Sequence, residues 1–254
     1  MANVRSEYFG ELSGRDATLY TLRNSKGNEL KITDYGARMV SMRFRDKYYN
    51  NKLMLQTYPD VSGYVADTSK GIVLIDDTHD FDKILWKVEH ISEGLKFTAH
   101  VAERHVEIIY SLSNDNEISI KYSARGVKEI STQLIFDAEV LTDADIRVYD
   151  EAKTQGKISG SNVYAIVDEP AVVEMEVGMF GYDPGCPIDW NDAGLKNAAD
   201  IVSEVAGISV NVFVTQSNLH VDEVEGGFAI KTSDPAHQDG EIKAQTVYVF
   251  KNRD

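Results

Sequence analysis

Apolar and polar residues alternate with a period of two along most of the chain. Val40, Met42 and Phe44 alternate with Ser41 and Arg43. The same alternation recurs in four further segments, 95–101, 106–112, 117–122 and 208–214, although Ile109 interrupts the polar side of the second. This spacing is typical of β-strands that place one face on a core and the other in water.

Turn-forming residues separate these segments. Segment 25–28, Ser-Lys-Gly-Asn, divides two strand-like runs, and segment 113–116, Ser-Asn-Asp-Asn, predicts a hairpin between the runs on either side. Helical spacing is scarce. It is clearest at Leu195, Ala198, Ala199, Val202 and Val205, but 201–205 also fits a strand before a turn at Ala206-Gly207. We therefore predict an all-β fold, an antiparallel sandwich that forms one domain over residues 1–254.

Composition narrows the function classes. The chain has 254 residues, of which 43% are hydrophobic, and a formal net charge of -15. Such a negative surface disfavours nucleic acid as a partner, and no apolar run approaches the roughly 20 residues that cross a bilayer. The first ten residues lack the apolar centre of a signal peptide, and the one cysteine, Cys186, cannot form an internal disulfide. We expect a cytoplasmic protein without a membrane partner; the oligomeric state stays open.

Short segments resemble the aldose 1-epimerase (galactose mutarotase) family, and they follow the family's order. Segment 19–38 resembles the family's opening "YTLxNxxGxxVxITxYGAxI", and Phe81 to Trp86 resembles "FDKxxW". Further resemblances occur at 53–64, 181–183, 227–232 and 246–250. The resemblance implies a large antiparallel β-supersandwich, galactose mutarotase-like, and a hexose or related carbohydrate as ligand. It also implies interconversion of the α and β anomers.

The residues that the resemblance assigns to proton transfer are changed in this chain. The family's glutamate base falls on Lys231, and its histidine acid falls on Gln133. Glutamine has no titrating proton, and lysine near its reference pKa of about 10.4 is already protonated. The family's "GRxxNRI" segment, with its arginine, has no counterpart between positions 66 and 75. The residues that the resemblance assigns to sugar binding in this chain are Asp183, in "GYD", and His79.

Several features also have simpler interpretations. Asp183 could cap a turn beside Pro184, Lys231 could point into solvent, and we expect Trp86 in the core rather than on a sugar. His79 lies in the acidic segment 76–82, which lacks the spacing of a calcium loop, so we predict a solvated loop and no metal. No phosphate loop, dinucleotide fingerprint, zinc-protease motif or nucleophile elbow occurs, so we expect no cofactor.

Three hypotheses follow from the sequence. The chain binds a monosaccharide without efficient epimerisation, or it is an active epimerase with a rebuilt site that uses His79 and Asp183. The third hypothesis is a non-catalytic interaction protein that keeps the sandwich for stability.

Overall fold

The strands predicted from alternation are present in the fold. The computed structural model describes residues 2–148, 155–159, 162–164, 194–216, 218–235 and 240–253. In chain order the elements are β1 (Asn3–Leu12), β2 (Arg15–Arg23), β3 (Glu29–Thr33), β4 (Met39–Arg45), β5 (Asn51–Leu53), α1 (Val61–Ala66), β6 (Ile72–Ile75), β7 (Lys87–Ile91), β8 (Gly94–Val101), β9 (Arg104–Leu112), β10 (Glu117–Arg125), β11 (Glu129–Asp137), β12 (Ala144–Val148), β13 (Gln155–Ser159), β14 (Asn162–Tyr164), β15 (Lys196–Ser203), β16 (Ile208–Val214), β17 (Asn218–Val224), β18 (Gly227–Pro235) and β19 (Glu241–Asn252).

The strands form three antiparallel sheets in the described part of the chain. The first, of five strands, has the order β1-β2-β3-β4-β5. The second has ten strands, in the order β14-β13-β12-β15-β16-β19-β10-β9-β8-β7. The third has four strands, in the order β17-β18-β11-β6. The prediction of an all-β, antiparallel fold is confirmed.

A continuous apolar core lies between the sheets. The rings of Phe97 and Tyr110 pack edge to face in the ten-stranded sheet, with centroids 5.5 Å apart. Phe136 and Phe228 stack at 5.3 Å on the four-stranded sheet, and Phe136 also contacts the ring of Tyr248 on β19. These contacts pack one face of the four-stranded sheet against the ten-stranded sheet.

Both predicted turns are confirmed. Leu112 on β9 pairs with Ile118 on β10 around turn 113–116, and Arg23 pairs with Glu29 around turn 25–28. Trp86 is buried, as expected, and its indole N–H donates to the Phe81 carbonyl oxygen at 2.8 Å.

The stretch with helical spacing is strand β15, followed by a turn at 204–207. The pairing with β16 shifts register between Asn197 and Ala199, so one extra residue enters the strand. Such a bulge lets two consecutive residues, Ala198 and Ala199, both be fully buried. The interrupted alternation therefore imitates the spacing of a helix.

Candidate functional site

Gln133 and Lys231 lie side by side in the four-stranded sheet. Gln133 on β11 is the register partner of Lys231 on β18. Residues directly opposite in an antiparallel pair share a face of the sheet, with Cβ atoms about 4.5–5.5 Å apart. We call this side the outer face and define it by six residues, which are Ser131, Gln133, Ile135, Ala229, Lys231 and Ser233.

The opposite face of the same strands belongs to the core. Leu134, Phe136, Phe228 and Ile230 are buried there in the main apolar cluster. The outer face instead carries an amide, an ammonium group and two hydroxyls, and its serines are almost completely buried. Of the six residues, Gln133 and Lys231 are the two that are partly exposed, so these are the polar groups that a ligand on this face can reach.

An excursion of the chain, residues 57–71, leaves the sheet beside Gln133. The backbone N–H of Gln56 donates to the Ile135 carbonyl oxygen at 2.9 Å, and Ile72 on β6 is the register partner of Gln133. The chain on both sides of the excursion therefore lies along the same edge of β11. From that edge the Gln133 side-chain amide donates to the Ser69 carbonyl oxygen at 3.2 Å.

A buried arginine holds the same turn of the excursion. Arg38 Nη1 donates to the carbonyl oxygens of Thr68, at 2.8 Å, and Lys70, at 3.1 Å, and its Nη2 lies 2.8 Å from Asp82 Oδ2. Burial lowers the pKa of the Arg38 guanidinium and the Asp82 carboxylate opposes this, so the group stays charged. Arg38 and Gln133 thus hold three consecutive carbonyl oxygens, those of residues 68–70.

Side chains of the excursion form a second polar cluster. The Tyr58 hydroxyl donates to the Asp67 carboxylate, and this hydrogen bond raises the pKa of Tyr58 to about 12. The same bond lowers the pKa of Asp67, so at neutral pH the carboxylate is ionised and the phenol keeps its proton. The Lys70 ammonium lies 4.0 Å from the centre of the Tyr58 ring, a cation–π distance.

His79 lies beyond the end of β6, away from the Gln133–Lys231 pair. Ile75, the last residue of β6, pairs with Ile130, three pairs along from Gln133, or roughly 10 Å of strand. The His79 side chain is 48% exposed, and its Nδ1 lies 3.0 Å from Asp82 Oδ2. Among the described residues, the contacts that connect it to the outer face run through Asp82, Arg38 and the 68–70 turn.

The chain is similar in structure to a galactose 1-epimerase and to proteins related to such enzymes. It matches the galactose 1-epimerase of Lactobacillus acidophilus with a TM-score of 0.70 and 12% identity, over 100% of both chains. A GalM/aldose epimerase homologue from C. elegans matches with a TM-score of 0.63 and 11% identity, also over 100% of both. A galactose mutarotase related enzyme from Lactobacillus acidophilus gives 0.54 at 11% identity, over 93% of this chain and 98% of that one. This chain has the galactose mutarotase fold. No family model and no curated protein matches the sequence.

Within the galactose mutarotase fold, the described structure brings two of the sequence-derived site residues together, Gln133 and Lys231. His79 is placed elsewhere, as described above. Asp183 and Cys186 lie outside the described residues. Across 2–148, 194–216, 218–235 and 240–253, no helix is long and apolar enough to span a membrane.

Three carboxylates of the acidic segment 76–82 bind partners within the protein, and that of Asp80 is half exposed. Asp76 accepts from the backbone amides of Lys128 and Glu129, Asp80 pairs with Arg104, and Asp82 pairs with Arg38. Among the described residues no three His, Cys, Asp or Glu side chains gather as metal ligands.

Two features of the site were missed from the sequence. His220 on β17 is the register partner of Lys231, which extends the row Gln133–Lys231–His220 across three strands. The second feature is the guanidinium of Arg38, which binds the Thr68 carbonyl oxygen in the segment that lacks an arginine of its own. Arg38 precedes Thr68 by 30 residues in the chain. The alternation of β4 does not indicate a role for Arg38, because the residue precedes the strand and its guanidinium binds to residues in distant loops.

Proposed function

We propose that this chain is a divergent member of the aldose 1-epimerase family that binds a monosaccharide or related carbohydrate on the outer face, and does not catalyse efficient anomer exchange. The observation that carries the proposal is the full-length likeness to the galactose 1-epimerase fold, combined with the pairing of Gln133 and Lys231. We also propose a cytoplasmic location, because a single cysteine suits a reducing compartment.

The chemistry of the paired residues supports binding without catalysis. Mutarotation needs one group that protonates the ring oxygen and another that takes the proton of the C1 hydroxyl. The glutamine amide at the acid position cannot protonate the ring oxygen, and an ammonium group at the base position has no lone pair to take the C1 hydroxyl proton, yet both donate hydrogen bonds to hydroxyl oxygens. Each positioned acid or base contributes roughly 10²–10⁴-fold, so the loss of both removes most of the acceleration.

Thermal unfolding with and without sugar tests the binding part. A ligand that binds only the folded state raises Tm, and we expect galactose or glucose at tens of millimolar to do so. Gln133→Ala should reduce the shift. The matched control is Gln245→Ala, which loses a comparable hydrogen bond, 2.8 Å to Ser119 Oγ on the ten-stranded sheet, and should leave the shift unchanged. An unshifted Tm with every sugar would favour the interaction-protein hypothesis.

Polarimetry tests the catalytic part. Freshly dissolved α-galactose and α-glucose should mutarotate with the wild-type chain at close to their spontaneous rates. Acceleration comparable with that of an authentic mutarotase would refute the proposal.

A second candidate function is an active epimerase with a rebuilt site. The observation that favours it is the hydrogen bond between His79 Nδ1 and the buried Asp82 carboxylate, which fixes the imidazole. In this alternative His79 and Asp183 transfer the protons. If catalysis is found, His79→Ala and Asp183→Asn should each abolish it, and unchanged activity in both variants would exclude the alternative.

A further inference from the structure

Lys231 is a half-buried cation without a partner in the described structure. Its side chain makes no hydrogen bond, ion pair or ring contact with any described residue, unlike Arg38 with Asp82 or Lys70 with Tyr58. The chain has 41 acidic residues against 26 basic ones, so carboxylates are abundant. A lysine without a partner among the described residues has its side-chain nitrogen available to a ligand.

On β11 and β18 the outer-face neighbours of Lys231 are neutral, and on β17 its register partner is His220. Gln133 stands opposite, and the Ser131–Ser233 and Ile135–Ala229 pairs lie one step away on either side along the strands. Asp222 on β17 is a diagonal neighbour; it is exposed and forms no ion pair with Lys231 in the described structure. Partial burial strengthens the attraction of the ammonium group for a ligand anion, because less water screens the pair.

The spacing of these groups suits a single sugar. Partners across the strands have Cβ atoms about 5 Å apart, and same-face positions repeat about every 7 Å along a strand. The ammonium group and the amide thus lie within the width of one monosaccharide. An anionic substituent on Lys231 would leave the sugar hydroxyls facing Gln133.

We infer that the ligand of the outer face is an anionic aldose, with Lys231 bound to its carboxylate or phosphate group. This inference rests on the proposed function and specifies its substrate class. A hexuronate and a hexose phosphate offer the same chemistry to Lys231, and the experiment below separates them.

Isothermal titration calorimetry at 0.15 M salt compares galactose, glucose, glucuronate, galacturonate and glucose 6-phosphate, with acetate and inorganic phosphate as anions without a sugar. We expect at least one anionic sugar to bind about tenfold more tightly than its neutral parent, because hydrogen bonds to charged groups are the stronger ones. Tighter binding of the uronates would identify the anion as a carboxylate, and tighter binding of glucose 6-phosphate would identify it as a phosphate.

Lys231→Met keeps much of the side-chain volume and removes the charge. We expect it to bind anionic and neutral sugars with affinities within about threefold of each other. Lys243→Met, an exposed lysine on β19, is the matched control and should keep the preference. Circular dichroism confirms that each variant is folded.

Each outcome separates the two proposals. Equal affinity of the wild-type chain for neutral and anionic sugars overturns the anionic ligand and leaves sugar binding intact. Acetate or phosphate binding as tightly as the anionic sugars shows an anion site without sugar recognition, and overturns the inference. Binding of no sugar at all overturns the proposed function itself.

Discussion

Gln133 and Lys231 face each other across β11 and β18, although 97 residues separate them along the chain. The resemblance to the epimerases assigns the acid to one position and the base to the other. Their pairing in one register places both substitutions on one surface, as a shared site requires. The account of a sugar-binding face without proton transfer depends on this relationship.

The buried Arg38–Asp82 pair should matter greatly for stability. Arg38→Met leaves the buried Asp82 carboxylate without its arginine partner, which costs about 3–5 kcal/mol in the free energy of unfolding. Urea denaturation measures the loss. The control Arg253→Met breaks an exposed pair with Glu204 and should cost at most about 1 kcal/mol.

A further variant separates lost charge pairing from lost packing. Arg38→Met combined with Asp82→Leu removes both charges and should regain part of the stability that the single variant loses. A double variant no more stable than Arg38→Met would show that the guanidinium matters mainly by holding the 68–70 turn.

Gly71 allows the excursion to rejoin the sheet. It has a φ of +59°, and a Cβ at this position would lie 2.1 Å from the Met39 carbonyl oxygen. Gly71→Ala should lower the free energy of unfolding by about 1–3 kcal/mol more than Gly14→Ala, which also has positive φ but open space around it. Chemical denaturation of both variants tests this, and equal losses would mean that the backbone near Met39 yields easily.

Stability should fall steeply above pH 10. Burial raises the pKa of Tyr110, Tyr122 and Tyr248 above the usual value of 10, so the unfolded chain loses these protons first. The stabilisation is complete below pH 10 and decreases as the pH rises towards the folded-state pKa values, by up to about 4 kcal/mol per pH unit for the three.

Tyr122→Phe removes the hydroxyl group of one of these three tyrosines and so shows its share of the pH dependence. The slope of unfolding free energy against pH above 10 should become shallower by about 1.4 kcal/mol per pH unit. Tyr8→Phe, an exposed tyrosine on β1, is the control and should leave the slope as it is. A slope unaffected by Tyr122→Phe would contradict the burial argument.

The sequence predicted the strands well because burial of one face imposes a local period of two, as in β4 and β9. It left 195–205 undecided because the bulge at Asn197–Ala199 breaks that period, and the extra residue is visible only against β16. Strand order and register depend on pairings between distant segments, so the row Gln133–Lys231–His220 could not be derived from local pattern.

The contacts of the candidate site could not be predicted from local sequence pattern either. The resemblance pointed to Gln133, Lys231, His79 and Asp183, but nothing local indicated that Gln133 would hold Ser69, or that Arg38 would hold the residues beside it. These contacts join segments more than 25 residues apart, and their partners are backbone carbonyl oxygens, which carry no residue-specific signal.

Polarimetry of the double variant Gln133→His with Lys231→Glu, beside the wild-type chain, tests the central claim most directly. The variant restores an acid and a base at facing positions, and each such group contributes roughly 10²–10⁴-fold when well placed. We predict that the wild-type chain leaves the mutarotation of α-galactose near its spontaneous rate, and that the folded variant accelerates it at least about tenfold. A wild-type chain that accelerates the reaction, or a folded variant that gives no acceleration, would contradict the account.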